Sequence, residues 1–208
     1  MPSVDTSLAF SLVALLLALT PGPDNLFVLM LSASQGRRAG IWVILGLCTG
    51  LIVHTAAVAF GLAALFAASS TAFAVLKYAG AAYLAYLAWQ AFRAPVGTAT
   101  DGSVSPTPAL QLYGRGILMN LTNPKVVLFF LAFLPQFVDP KKGAVAGQLA
   151  VLGGLFIVAT LIAFVSIACA TDFIGARLRR SAQTQRLLNR ASACVFAGLA
   201  VKLAVTQR

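Results

Sequence analysis

Asp24 and Lys125 are the residues of this chain most able to do chemistry, because each sets a full charge inside a long apolar run and directly after a proline. Asp24 closes the string Thr20-Pro21-Gly22-Pro23-Asp24, and Lys125 closes Asn123-Pro124-Lys125. Proline lacks the backbone donor a helix needs and clashes with the preceding turn, so both runs must break or bend there. Lipid cannot satisfy the carbonyls such a break frees, which places it in the protein interior or against a wet cavity. Beyond the break, Pro23 and Pro124 suit the first position of a new half-helix, whose N–H groups attract anions. A carboxylate that can meet an ammonium, beside a lysine and a half-helix terminus that can meet a carboxylate, would hold a zwitterion such as an amino acid. The same chemistry also fits a structural ion pair that locks two parts of the protein together.

Further candidates surround this pair. Asn25 follows Asp24 and joins the candidate set with Pro21, Gly22, Pro23, Asn123 and Pro124. His54, the one histidine, shares a helix face with Gly46 and Gly50 at four-residue spacing. The glycines permit close helix approach, and His54 reads as an interhelical hydrogen bond or as a proton or substrate group. Tyr83, Tyr86 and Gln90 share one face, which reads either as a cavity lining or, with Trp89 and Phe92, as an interfacial aromatic belt. Phe129, Phe133 and Phe137 recur at four-residue intervals, a stripe that reads as helix packing. Cys48, Cys169 and Cys194 lie in apolar runs without C-x-x-C spacing, so neither a disulfide framework nor a zinc site is expected. One histidine and one intramembrane carboxylate make a poor ligand set, and no metal or other cofactor is expected.

The elements that must position these groups follow from composition. The chain has 208 residues, 60% apolar and 10% charged, with a mean hydropathy of +0.90. It has five acidic residues, all aspartate, too few to clothe a soluble domain. A spanning helix needs about 20 apolar residues. Six such stretches can be cut, at 7–34, 40–66, 71–92, 115–137, 147–170 and 189–205. The first carries Asp5 ahead of its apolar run and has no basic leader, so it is expected to be retained rather than cleaved. The predicted fold class is an all-α polytopic membrane protein, with helices 1 and 4 broken or kinked at proline.

The net charge of +10 does not indicate nucleic acid, since the basic residues lie between apolar runs instead of in one patch. They read as topology signals. Arg37 and Arg38, Arg93 and Arg115, and the group from Arg177 to Arg190 fall in odd connections, while Lys141 and Lys142 fall in an even one. The positive-inside rule then puts both termini outside, in the periplasm if the membrane is a bacterial inner membrane. The basic stretch 172–190 reads as an interfacial loop on lipid.

The segment 94–114, rich in Pro, Gly, Ser and Thr, reads as a linker between a first half, 1–93, and a second half, 115–208, of one membrane domain. Aligning Pro23 with Pro124 also brings Arg37-Arg38 near Lys141-Lys142, each pair before a glycine. Three spans per half would make the two halves inverted repeats. Asp24 lies ten residues before Ser34 and Lys125 ten after Arg115, so both sit roughly 15 Å from the same membrane face. A charge at that depth needs a partner or a wet cavity.

Thr20-Pro-Gly-Pro-Asp24, Asn123-Pro-Lys125 with the apolar stretch to Phe137, and Gly80-Ala-Ala-Tyr-Leu-Ala-Tyr-Leu87 resemble the lysine exporter and homoserine/threonine resistance (LysE/RhtB) family over essentially the whole chain. Ala88 stands where that family has a small glycine. The resemblance implies a secondary-active exporter of amino acids or close derivatives in the bacterial inner membrane. It is expected to be proton-coupled, with the transport residues at Pro21 to Asp24 and Asn123 to Lys125. Asp24 is then the candidate proton carrier, and alternating access would open a midplane cavity to each side in turn. The expected partners are an amino acid, protons and membrane lipid, with a homo-oligomer left open. A metal-ion exporter of the same superfamily is the alternative. No nucleophile and base pair supports an enzyme.

Overall fold

The computed structural model describes residues 1–68, 70–93, 107–180 and 182–205, and the regular structure among them is helical throughout. Helices α1 (Val4–Leu19) and α2 (Pro23–Gln35) flank the first proline string, with axes bent by 60°. Gly36, at φ +84, then turns the chain into α3 (Arg37–Ala68), followed by α4 (Ser70–Arg93). Helix α5 (Ala109–Thr122) gives way to the short α6 (Pro124–Leu128), a π-helical turn at Phe129–Phe133 and a 3-10 turn at Leu134–Phe137. The bend between α5 and the segment Pro124–Phe137 is 50°. A 3-10 turn at Pro140–Lys142 leads to α7 (Val145–Arg180), and α8 (Ala182–Val205) completes the described chain.

Several boundaries differ from the sequence expectation. The expected linker 94–114 lies outside the described residues up to 106, and its last six positions already belong to α5, which starts beyond Pro108. Arg37 and Arg38 form the first turn of α3 and are not part of a loop. The stretch 172–190, expected as a loop, is helical to Arg180 and again from Ala182. Its basic composition marks distance from the bilayer centre and says little against helix, since Arg and Leu are good helix formers.

Among the described residues, Arg37–Gly61 and Val145–Thr171 are each long and apolar enough to cross a membrane alone, and counting each bent pair as one span brings the number to four. The exterior fits such a solvent. Leu8, Leu12, Leu16 and Leu19 make an exposed apolar stripe along α1, while Asp24, Asn25, Asn120, Asn123 and Lys125 are buried. A surface of that kind is stable against acyl chains and costly in water.

Packing brings the two broken segments onto the opposite half. Helix α3 lies along α5 and α7, α1 lies along α7, and α4 lies along α8. At the α3–α5 crossing the backbones touch: a Cβ on Gly46 would fall onto the Tyr113 carbonyl, and one on Gly116 onto the Val43 carbonyl. Two apolar clusters fill the interior. One is aromatic, built on Phe10, Phe129, Phe130, Phe133 and Phe156; the other gathers Val28, Val43, Leu47, Leu112 and Phe164.

Two long-range contacts define the ends. The Met1 ammonium donates to the Lys142 carbonyl at 3.3 Å. At the other end Gln35 and Thr107 exchange two hydrogen bonds, of 2.9 and 3.2 Å. The segments after the first and third expected spans therefore share one end, and the N-terminus shares the other with the segment after the fourth.

Candidate functional site

The two charges hold the same place in their helices. Pro23 and Pro124 are the first residues of α2 and α6, and Asp24 and Lys125 the second. The break before α6 starts on a residue pushed out of the helical region by its proline: Asn123 has ψ 107. Thr20, at ψ 119 before Pro21, does the same in the first half. Asn123 then caps α6 by accepting the Lys125 backbone N–H at 3.0 Å.

Lys125 Nζ stands 3.5 Å from Asp24 Oδ1, with both side chains only 5% exposed. The ammonium also donates to the Thr20 carbonyl at 3.3 Å and to Asn25 Oδ1 at 3.5 Å. Asn25 in turn donates to the Ala18 carbonyl at 2.6 Å. Carbonyls at the end of α1 are thus satisfied by α2 and by the opposite half, which lets an irregular backbone lie buried in an apolar bundle. Gly22 matters for space. Its backbone is extended, but a Cβ there would stand 2.8 Å from Asp24 Oδ1 and 3.0 Å from Lys125 Nζ.

Lys125 forms part of the wall of two separate spaces. The larger, an open pocket of about 440 Å³, runs between the two breaks and the facing sides of α4 and α8. Pro21, Gly22, Pro23, Asn123 and Pro124 line it from the breaks, Tyr83 and Gln90 from α4, and Asn189 and Phe196 from α8. The smaller is a closed space of about 10 Å³ where the two apolar clusters meet, and Asp24, Asn120 and Thr160 are in its wall. Asp24 lines the closed space and not the open pocket.

The remaining candidates divide. Tyr83 reaches the open pocket, whereas Tyr86 points away at 51% exposure and bonds Gln90. Trp89 carries the Arg93 guanidinium 4.5 Å above its ring, as an interfacial side chain would. His54 enters neither space: Nε2 lies 3.4 Å from the Asn120 carbonyl and the ring packs on Phe130. Phe129 and Phe133 stack at 5.0 Å and meet Phe10, Phe137 and Phe156, so the stripe packs, though through a π-helical turn. Among the described residues no three His, Cys, Asp or Glu side chains gather into a metal-ligand group.

Sequence reading missed Asn120 and Thr160. Asn120, an amide in an apolar run five residues before Lys125, gave a readable signal. Thr160 gave none, since a threonine in a spanning helix ordinarily bonds its own preceding turn.

A helical chain with an apolar exterior and buried opposite charges at paired helix breaks is a membrane protein built around a polar midsection. It belongs to the LysE type translocator family, which matches residues 15–207. The chain is 36% identical to a homoserine/homoserine lactone efflux protein of Salmonella typhimurium (strain LT2) over 189 residues, 90% of each chain. It is 28% identical to the uncharacterized membrane protein YrhP of Bacillus subtilis (strain 168) over 204 residues, 94% of this chain and 96% of that one. No solved structure matches it.

Proposed function

We propose that this chain exports amino acids or close derivatives across the bacterial inner membrane, by proton-coupled alternating access at the site between the two helix breaks. The observation that carries the reading is the buried Asp24–Lys125 pair, with its lysine in the wall of an open pocket. Family membership supports the amino-acid class, as does the homoserine/homoserine lactone efflux for which the Salmonella relative is named.

Lys125 is the charged residue lining that pocket, so it receives the substrate carboxylate, with the extended strings at both breaks close by. Asp24 lies behind it and carries the proton. The pocket reaches Gln90 and Asn189, at the ends of α4 and α8 that also carry Arg93 and Arg190. By the positive-inside rule that end is cytoplasmic and both termini are periplasmic, so this conformation faces inward. The opposite end is closed by the Phe10, Phe129, Phe133 and Phe137 rings.

Six spans in two inverted repeats agree with the packing. Exchanging α1, α3 and α4 for α5, α7 and α8 turns the α3–α5 contact into α7–α1 and leaves α3–α7 and α4–α8 in place. The ion pair is made by equivalent residues of the two halves.

The test is export from proteoliposomes, starting with L-homoserine and continuing through a panel of amino acids, with divalent metals as a separate arm. Saturable amino-acid counterflow is expected, with uphill export under a proton gradient that Asp24→Asn abolishes. Full proton-coupled export by Asp24→Asn would remove the proton role, and a flat amino-acid panel would sink the reading.

A further inference from the structure

The closed space behind Lys125 is walled mainly by apolar side chains, and Asp24, Asn120 and Thr160 join Lys125 as the polar residues among them. Asp24 Oδ1, Asn120 Oδ1 and Thr160 Oγ1 are all buried without a hydrogen-bond partner, and all three residues line it. Each is at most 4% exposed. Buried oxygens that no hydrogen bond satisfies are rare in stable interiors and call for a ligand, and at Asp24 Oδ1 the Lys125 ammonium, 3.5 Å away, supplies charge but no hydrogen bond. Two of these oxygens accept, the third can donate, and about 10 Å³ is close to the room one water needs. A single water donating to Asp24 and Asn120 and accepting from Thr160 would satisfy all three. A bare cation fits worse: three side-chain oxygens are few for sodium, and Lys125 Nζ already stands 3.5 Å from Asp24 Oδ1.

We infer that this space is a hydration site for Asp24, held by Asn120 and Thr160, which keeps the carboxylate partnered when Lys125 turns to a substrate in the open pocket. The inference rests on the transport reading above for the substrate, and on geometry alone for the water. Its logic is that of a relay of partners. Lys125 is common to both spaces, so a carboxylate arriving in the open pocket competes with Asp24 for one ammonium. Removing that ammonium from a buried carboxylate with no second donor would oppose substrate binding. A resident water lowers that opposition and so raises affinity. Asn120 and Thr160 are positioning residues in this scheme. Gly50 on α3 makes room for Asn120, because a Cβ there would stand 2.6 Å from Asn120 Oδ1.

Two measurements test it, one of them free of any substrate. X-ray hydroxyl-radical labelling reads water held next to a side chain, and Phe156 lines the closed space while only 3% exposed. Phe156 is expected to label in the full-length protein and to lose most of that signal in Thr160→Val. An unlabelled Phe156 in the wild type, or equal labelling in Thr160→Val, overturns the water site. The second measurement is equilibrium binding of radiolabelled L-homoserine, or of whichever panel member is transported. Thr160→Val is expected to weaken it about tenfold, the effect of one hydrogen bond to a charged group. Thr160→Ser should restore it, and the effect should vanish in an Asp24→Asn background, where no buried charge needs the water. Unaltered affinity in Thr160→Val, or an equal loss in the Asp24→Asn background, overturns the partner relay. A wild-type protein that labels at Phe156 but transports no amino acid would instead defeat the transport reading and leave the hydration site standing.

Discussion

Asp24 and Lys125 are each too costly to bury alone, and this decides how substitutions at either should behave. Lys125→Met leaves Asp24 as an uncompensated buried charge, so it is expected to cost about 3–5 kcal/mol of stability. Asp24→Asn combined with Lys125→Met removes both charges and should recover most of that loss in a thermal-unfolding series in detergent. The same double variant should transport nothing. Recovery of stability together with recovery of transport would mean that the pair is structural only. Gly22→Ala probes the same pair from the backbone, since its methyl would press on both charged ends. Its expected cost is about 1–3 kcal/mol, with a fall in substrate affinity that peripheral substitutions such as Leu110→Ala do not show. The charges themselves were readable from sequence, because two ionised groups at one depth must meet. Thr160 was not. Thr49, Thr55 and Thr122 each bond the carbonyl four residues back, whereas Thr160 Oγ1 has no partner, and only packing separates the two cases.

Proline chemistry accounts for the elements. Pro21, Pro23 and Pro124 cannot sit inside a continuous ladder, and α1 and α5 end just before them with bends of 60° and 50°. The following π-helical turn at Phe129–Phe133 has no comparable signature in sequence, because its phenylalanines keep the four-residue spacing of an ordinary helix. The glycines at the α3–α5 crossing act through space, not conformation. Gly46→Ala and Gly116→Ala each place a methyl on a backbone carbonyl of the partner helix, which cannot swing aside as a side chain would. Either is expected to cost about 1–3 kcal/mol, read as a lower unfolding temperature. Gly147→Ala, with open space around its Cβ position, should be neutral or stabilising. Equal destabilisation at Gly147 would show that helix propensity and not the α3–α5 approach governs these positions. The helical run to Arg180 was hidden for a related reason: hydropathy reports where a segment sits relative to lipid, and a helix can continue past that boundary.

At the scale of the whole molecule, the contact pattern and the end-to-end hydrogen bonds make topology testable. In a background with Cys48, Cys169 and Cys194 replaced by serine, Lys142→Cys should react with an impermeant thiol reagent from outside intact cells. Arg38→Cys should react only after permeabilisation. The reverse pattern would invert the orientation and make the open pocket periplasmic. Gln35→Cys with Thr107→Cys should crosslink, because those residues bond directly across the end that carries Arg37 and Arg38. Failure to crosslink would place the segments after the first and third expected spans on opposite faces.

Sequence by itself determined that lipid is the solvent, that two proline strings interrupt the first and fourth apolar runs, and that each interruption carries a charge of opposite sign. Those follow from local chemistry: residue composition, a missing backbone donor and the cost of an ion in hydrocarbon. Tertiary structure alone decided that Lys125 lines both an open pocket and a closed space, that Asp24 lines only the second, and that Asn120 and Thr160, which also line it, carry buried oxygens without a hydrogen bond. Whether a buried oxygen has a partner depends on which neighbouring helix arrives beside it, and a linear pattern of residues does not carry that information.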